Sequence, residues 1–97
     1  PDDIGYFDPI GIGDEKAVAY DLGNQLATGV TVSSFTASAD VSSGLSLAEQ
    51  AVSGGTVMPV VVDATSATEG QYTITFTATL SNGQTRVRRG VLPVMTL

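Results

Sequence analysis

Residues 71–80 read Gln-Tyr-Thr-Ile-Thr-Phe-Thr-Ala-Thr-Leu, and Ser81, Asn82, Gly83 and Gln84 follow. Tyr72, Ile74, Phe76, Ala78 and Leu80 alternate with Thr73, Thr75, Thr77 and Thr79, the period-two pattern of a strand with one buried and one wet face. Asn-Gly between two such runs is a strong hairpin signal, because both central residues of a type I′ turn need positive φ. The segment after Gly83 is therefore expected to return as an antiparallel strand. A two-residue loop would set Leu80 opposite Thr85, Ala78 opposite Val87 and Phe76 opposite Arg89, placing a charge on the core face. A bulge within residues 88–90 is expected to relieve this, turning Arg88 and Arg89 to solvent and Leu92 and Val94 inward, with Gly90 as the residue that tolerates it. The outer face then becomes a lawn of threonines edged by Arg86 and Arg88.

Other strand signals lie upstream. Residues 16–22, Lys-Ala-Val-Ala-Tyr-Asp-Leu, form a short candidate closed by Gly23 and Asn24. Residues 29–38 give another, with Val30 and Val32 on one face. Phe35 has the wrong parity to join them, so a bulge is expected near Ser33 and Ser34. Residues 56–63 hold a nearly continuous apolar run in which Pro59 argues for an edge position or a bulge. Residues 45–52 fit two readings: Ser46 and Glu49 suit a helical capping box, while Leu45 and Leu47 suit alternation, and the surrounding β pattern favours a strand. Gly70-Gln71-Tyr72 suits the approach to a late strand in which a tyrosine hydroxyl ties back to the backbone, although Tyr72 also suits a plain core position. Six to seven short strands between turn signals define the fold class as all-β, an immunoglobulin-like Greek-key β-sandwich over residues 16–97.

Residues 1–15 have a different texture. They carry two of the four prolines and five carboxylates (Asp2, Asp3, Asp8, Asp14, Glu15), interspersed with Ile4, Tyr6, Phe7, Ile10 and Ile12. No strand or helix period is evident, so the segment reads as an extended N-terminal arm. Five large apolar side chains are too many for a solvated tail. They are expected to dock against a neighbour, and deleting residues 1–12 is expected to leave a folded domain that assembles poorly.

Composition narrows the function. The 97 residues carry a net charge of −6, four Lys or Arg, no histidine and no cysteine. Without histidine the commonest general base and the commonest transition-metal ligand are missing, and without cysteine no thiolate site can form. Serines and threonines have no evident activating base, and no Gly-x-Ser-x-Gly elbow occurs. The acidic pairs Asp2-Asp3 and Asp14-Glu15 have no EF-hand spacing and read as a solvated face in preference to a calcium site. Four basic residues do not equip the chain for a polyanion, and no apolar run reaches the roughly 18 residues of a membrane span. The expectation is a protein that is not an enzyme, with no cofactor, no metal, no nucleic acid or membrane partner and no small-molecule substrate. Arg86, Arg88 and Arg89 hold three of the four positive charges, and an acidic arm meeting this strand in another copy would join copies head to tail.

Several segments carry a resemblance in their order and spacing: Phe7-Asp8-Pro9, then Glu15-Lys-Ala-Val-Ala-Tyr-Asp21, then Leu26-Ala-Thr-Gly-Val-Thr-Val-Ser-Ser34. Val52-Ser-Gly-Gly55, Glu69-Gly-Gln-Tyr-Thr-Ile74 and Ser81-Asn-Gly-Gln-Thr-Arg86 continue it over most of the chain. The whole resembles the small Ig-like structural proteins of tailed bacteriophages, including the fibre-to-tail adaptor type. It departs from the adaptor pattern in having Leu22-Gly23, and no tryptophan, after Asp21. The resemblance implies a virion component, located in the phage particle, that docks onto other virion proteins and copies of itself in multiple copies as a tail or neck adaptor. A capsid decoration (cement) protein is the alternative within that class. A carbohydrate-binding or adhesive surface module is the alternative outside it, and it would need exposed aromatics that three Tyr, three Phe and no Trp scarcely supply. The expected protein-interaction residues are Ile4, Tyr6, Phe7, Ile10 and Ile12 of the arm and Thr75, Thr77, Arg86 and Arg88 of the hairpin.

Overall fold

A computed structural model describes residues 4–39 and 44–96. Its strands are β1 (Ile4–Tyr6), β2 (Ile10–Gly11), β3 (Glu15–Asp21), β4 (Val32–Ala39), β5 (Ser46–Glu49), β6 (Val57–Asp63), β7 (Gly70–Leu80) and β8 (Thr85–Met95). One sheet has the order β1-β8-β7-β4, with β2 also paired to β8, and the other has the order β3-β6-β5. The molecule is an all-β sandwich. Its core forms between the sheets from Met58, Val60 and Val62 on one side and Ile74, Phe76, Ala78 and Leu92 on the other, all buried. The segment that suited both helix and strand is β5, paired with β6 from Ser46↔Asp63 to Glu49↔Val60.

The hairpin register differs from the sequence expectation, and the cause is the turn. Leu80 N–H donates to Gln84 O (2.8 Å) and Gly83 N–H to Leu80 O (2.9 Å), which closes a three-residue loop. Gly83 has φ of +87°, whereas no non-glycine among the described residues has positive φ. Asn82 therefore does not take the conformation that a type I′ turn requires, and only Gly83 uses the left-handed region, as in a three-residue hairpin loop. One extra loop residue shifts the pairing to Ala78↔Arg86, Phe76↔Arg88, Ile74↔Gly90 and Tyr72↔Leu92 without interruption. The bulge expected within residues 88–90 is absent from this ladder. Leu92 and Val94 are buried as expected. Arg89 faces outward, but Arg88 stays on the inner side opposite Phe76.

Gly90 has another use. A Cβ there would lie 2.3 Å from Cε2 and 2.6 Å from Cζ of Phe7. The position is bare so that the Phe7 ring can lie against the β8 backbone. From there Phe7 meets Phe76 edge-on, with ring centroids 6.2 Å apart. The described residues before Lys16, 4–15, thus run as part of the domain: β1 and β2 pair parallel with β8, Phe7 N–H donates to Val91 O (2.9 Å), and Ile10 is only 1% exposed. Lys16 Nζ donates to the carbonyls of Asp8 and Pro9, both at 3.3 Å, across the gap between β1 and β2. A truncation of residues 1–12 removes Phe7 and Ile10 from the core, so it is expected to unfold the domain and not merely to disarm it.

Two other parity arguments meet different outcomes. The β4–β7 register jumps between Val32↔Leu80 and Ser34↔Thr79, so the bulge falls at Ser33 as expected and lets Val32 and Phe35 share the inner face. Pro59, by contrast, sits in the central strand of its sheet and opposite Ala19 in an unbroken β3–β6 ladder. It is neither at an edge nor in a bulge. Its carbonyl accepts from Gln50 N–H (2.9 Å), just past Glu49 where β5 ends, so the missing N–H forfeits only the reciprocal bond at the end of that ladder.

The Phe7–Gly90 contact is directly testable. Gly90→Ala is expected to lower stability by about 1–3 kcal/mol in urea denaturation, the cost of overpacking. In a Phe7→Ala background the added cost should fall within about 0.5 kcal/mol, because the clash partner is gone.

Candidate functional site

Because successive side chains in a strand point to opposite faces, the register decides which residues the hairpin presents together. On the outer face of the larger sheet three rows cross the strands: Ser38–Thr75–Arg89, Thr36–Thr77–Val87 and Ser34–Thr79–Thr85. Thr75 and Thr77 are half-buried in the middle of this polar lawn, as the sequence indicated. The arginine among them is Arg89. Arg86 and Arg88 lie on the opposite side of β8, so the structure does not bring them together with Thr75 and Thr77.

Among the described residues β1 pairs with β8 from Arg89 onward, and both arginines on the inner side find polar partners within the chain. Their stems cover apolar surface while the heads turn to polar partners. Arg88 Nε donates to Gln25 Oε1 (2.5 Å), reaching the 3-10 turn Gly23–Gln25, and Arg86 donates to Gln84 Oε1 (3.2 Å) and Thr85 O (3.2 Å).

The arm residues divide. Phe7 and Ile10 pack into the core, whereas Ile12 is 42% exposed beside Met95, 37% exposed, with Ile12 N–H donating to Met95 O (3.1 Å). The side chains of Ile4 and Tyr6 lie outside the described residues, as do Asp2 and Asp3. Tyr72 follows the tie-back reading: its hydroxyl donates to Glu69 O (3.3 Å) and shares a hydrogen bond with Thr68 Oγ1 (2.9 Å). Thr68 thus holds the Tyr72 hydroxyl in place beside the entry to β7.

The smaller sheet presents a face that the hairpin-centred reading missed. Its outward rows are Glu15–Asp63–Ser46, Ala17–Val61–Ala48, Ala19–Pro59 and Asp21–Val57. The centre of this face is apolar, with Ala17, Ala19 and Ala48 exposed and Val57, Pro59 and Val61 half-buried. The sequence did hold a signal for it. An antiparallel strand with one wet face should alternate, and the near-continuous run from Val57 to Val62 does not.

Carboxylates end this face. Asp21 Oδ1 accepts from Gly23 N–H (2.8 Å), and Asp63 Oδ1 accepts from the Thr65 hydroxyl (2.5 Å) and amide (2.8 Å). The Thr65 hydroxyl and then its amide hold the Asp63 carboxyl below the ordinary aspartate range. Among the described residues no group of three His, Cys, Asp or Glu gathers as metal ligands.

Two packed sheets with chemically different outer faces place the chain in the class of all-β sandwich domains. The comparison with protein families makes this specific: the podophage GP4 fiber-tail adaptor protein gp77 family matches residues 12–93. The chain belongs to that family, and it is a phage tail fibre adaptor-type structural protein, a component of the virion particle. No curated protein matches it.

Asp63 gives a pH test of the local geometry. A depressed folded-state pKa contributes stability above the unfolded-state value, and this is lost as pH falls through the folded-state value. By NMR titration the Asp63 carboxyl is expected to protonate below the usual aspartate range, and Thr65→Ala is expected to move its midpoint upward.

Proposed function

We propose that the protein works in the tail or neck as a non-catalytic adaptor, present in multiple copies, that docks onto other particle proteins and onto copies of itself. The observation that carries this reading is the extent of the family match, from Ile12 on the exposed end of the arm to Pro93 in β8. It takes in both sheets and both outer faces, not one motif. We also read the sandwich as immunoglobulin-like. The three-stranded order β3-β6-β5, the neighbours β4, β7 and β8 in the other sheet, and the Tyr72 tie-back support that assignment.

Within this reading the arm's contribution is narrower than five apolar residues. Ile12 and Met95 form the exposed apolar pair next to β2, while Phe7 and Ile10 are occupied by the core. Thr75 and Thr77 offer hydroxyls on one outer face. Arg86 and Arg88 are satisfied within the chain and would have to exchange Gln84 and Gln25 for a partner's carboxylates.

Cryo-electron microscopy of intact particles tests the proposal. Density for the sandwich is expected at the tail, in more than one copy, between fibre and tail proteins. Density confined to the capsid surface would replace the adaptor reading with the decoration one.

A further inference from the structure

We propose that the outer face of the β3-β6-β5 sheet is the seat of a second, different virion protein, one presenting a flat apolar centre rimmed by Lys and Arg. This rests on the adaptor reading above and adds to it the address of one contact and the chemistry of its occupant.

The sandwich supplies its own comparison. Both sheets have an outer face, and the one on β4, β7 and β8 is mainly polar, with Ser34, Thr36, Ser38 and the β7 threonines beside Arg89 and only Val87 and Val91 of β8 apolar among them. The face on β3, β6 and β5 instead carries Ala17, Ala19, Ala48, Val57, Pro59 and Val61. Contiguous outward apolar surface rimmed by polar groups marks a contact site. Small side chains keep this one flat. Three strands about 4.8 Å apart, with β3 and β6 spanning about 23 Å, give a face of roughly 300 Å². That figure includes the carboxylate ends, so an interface of about 800 Å² per partner would draw its remaining area from the loops around the face.

Charge selects the occupant. Glu15 and Asp63 close one end of the face and Asp21 the other. A second copy is poorly suited to it, since each copy carries a net charge of −6 and four basic residues. Lys16 is turned back to Asp8 and Pro9, Arg86 to Gln84 and Arg88 to Gln25. Stacking the opposite outer face of another copy here would set Arg89 against three carboxylates. A partner with several Lys or Arg around an apolar centre matches both the sign and the pattern.

Edge pairing is less favoured than face-on docking. On β4, at the edge of the larger sheet, Ala37 N–H already donates to Glu49 Oε2 (2.9 Å).

The test uses the full chain, supplied in trans to phage lacking its own copy, and reads the amount retained in purified particles. Glu15→Lys is expected to reduce incorporation at least tenfold, Glu15→Gln about threefold, and Ala19→Arg at least tenfold. Thr28→Arg, on an exposed loop elsewhere, should stay within twofold of wild type. Thermal unfolding of each purified variant is measured alongside, and if Ala19→Arg melts early the Glu15 pair carries the test. A benzoylphenylalanine at Ala48 should crosslink to another virion protein in the particle. Undiminished incorporation of Glu15→Lys, or a crosslink joining two copies of this chain, would overturn the proposal. Absence of the wild-type protein from particles would instead refute the adaptor reading on which it stands.

Discussion

Phe76 holds the sandwich together. It is fully buried in β7, and three rings converge on it from different parts of the chain: Phe7 from the N-terminal segment at 6.2 Å, Tyr20 from β3 in the opposite sheet at 5.7 Å, and Phe35 from β4 at 6.3 Å. Such pairs add about 0.5–1.5 kcal/mol each beyond the area they bury. The larger consequence is geometric. One side chain ties together both sheets and the arm, so the bulge at Ser33, the bare backbone at Gly90 and the shifted hairpin register are conditions for rings to reach it.

The same constraint separates what the domain uses internally from what it presents. Phe7 and Ile10, which composition alone marks as docking residues, are committed to packing. What remains outside is set by strand parity. One face shows threonine and serine with Arg89, and the other shows alanine, valine and proline between carboxylates.

Much of this was legible in the sequence. The threonine alternation of residues 71–80 gave β7 and its buried face, the parity of Phe35 gave the bulge, and the Asn82-Gly83 pair gave the hairpin. The turn type was not legible, because Asn-Gly suits a two-residue loop and a three-residue loop alike, and one residue of difference moves Arg88 from the outer face to the inner. Pro59 misled for a related reason: whether a missing N–H matters depends on where the neighbouring strand ends, which is a tertiary fact. The packing of Phe7 was not legible because its partner, the β8 backbone bared by Gly90, lies some eighty residues downstream. The apolar outer face was visible in residues 57–62, but an unbroken apolar run does not say which of its residues point outward until the register is known.

Native-state hydrogen exchange followed residue by residue tests the central claim that the segment before Lys16 belongs to the sandwich core. The amide of Phe7, donated to Val91 O, and that of Ile12, donated to Met95 O, should be protected and should exchange through the same global opening as the amides of β7. Exchange of both at rates typical of an exposed loop, while Ile74 and Phe76 remain protected, would contradict the account and restore a detached arm.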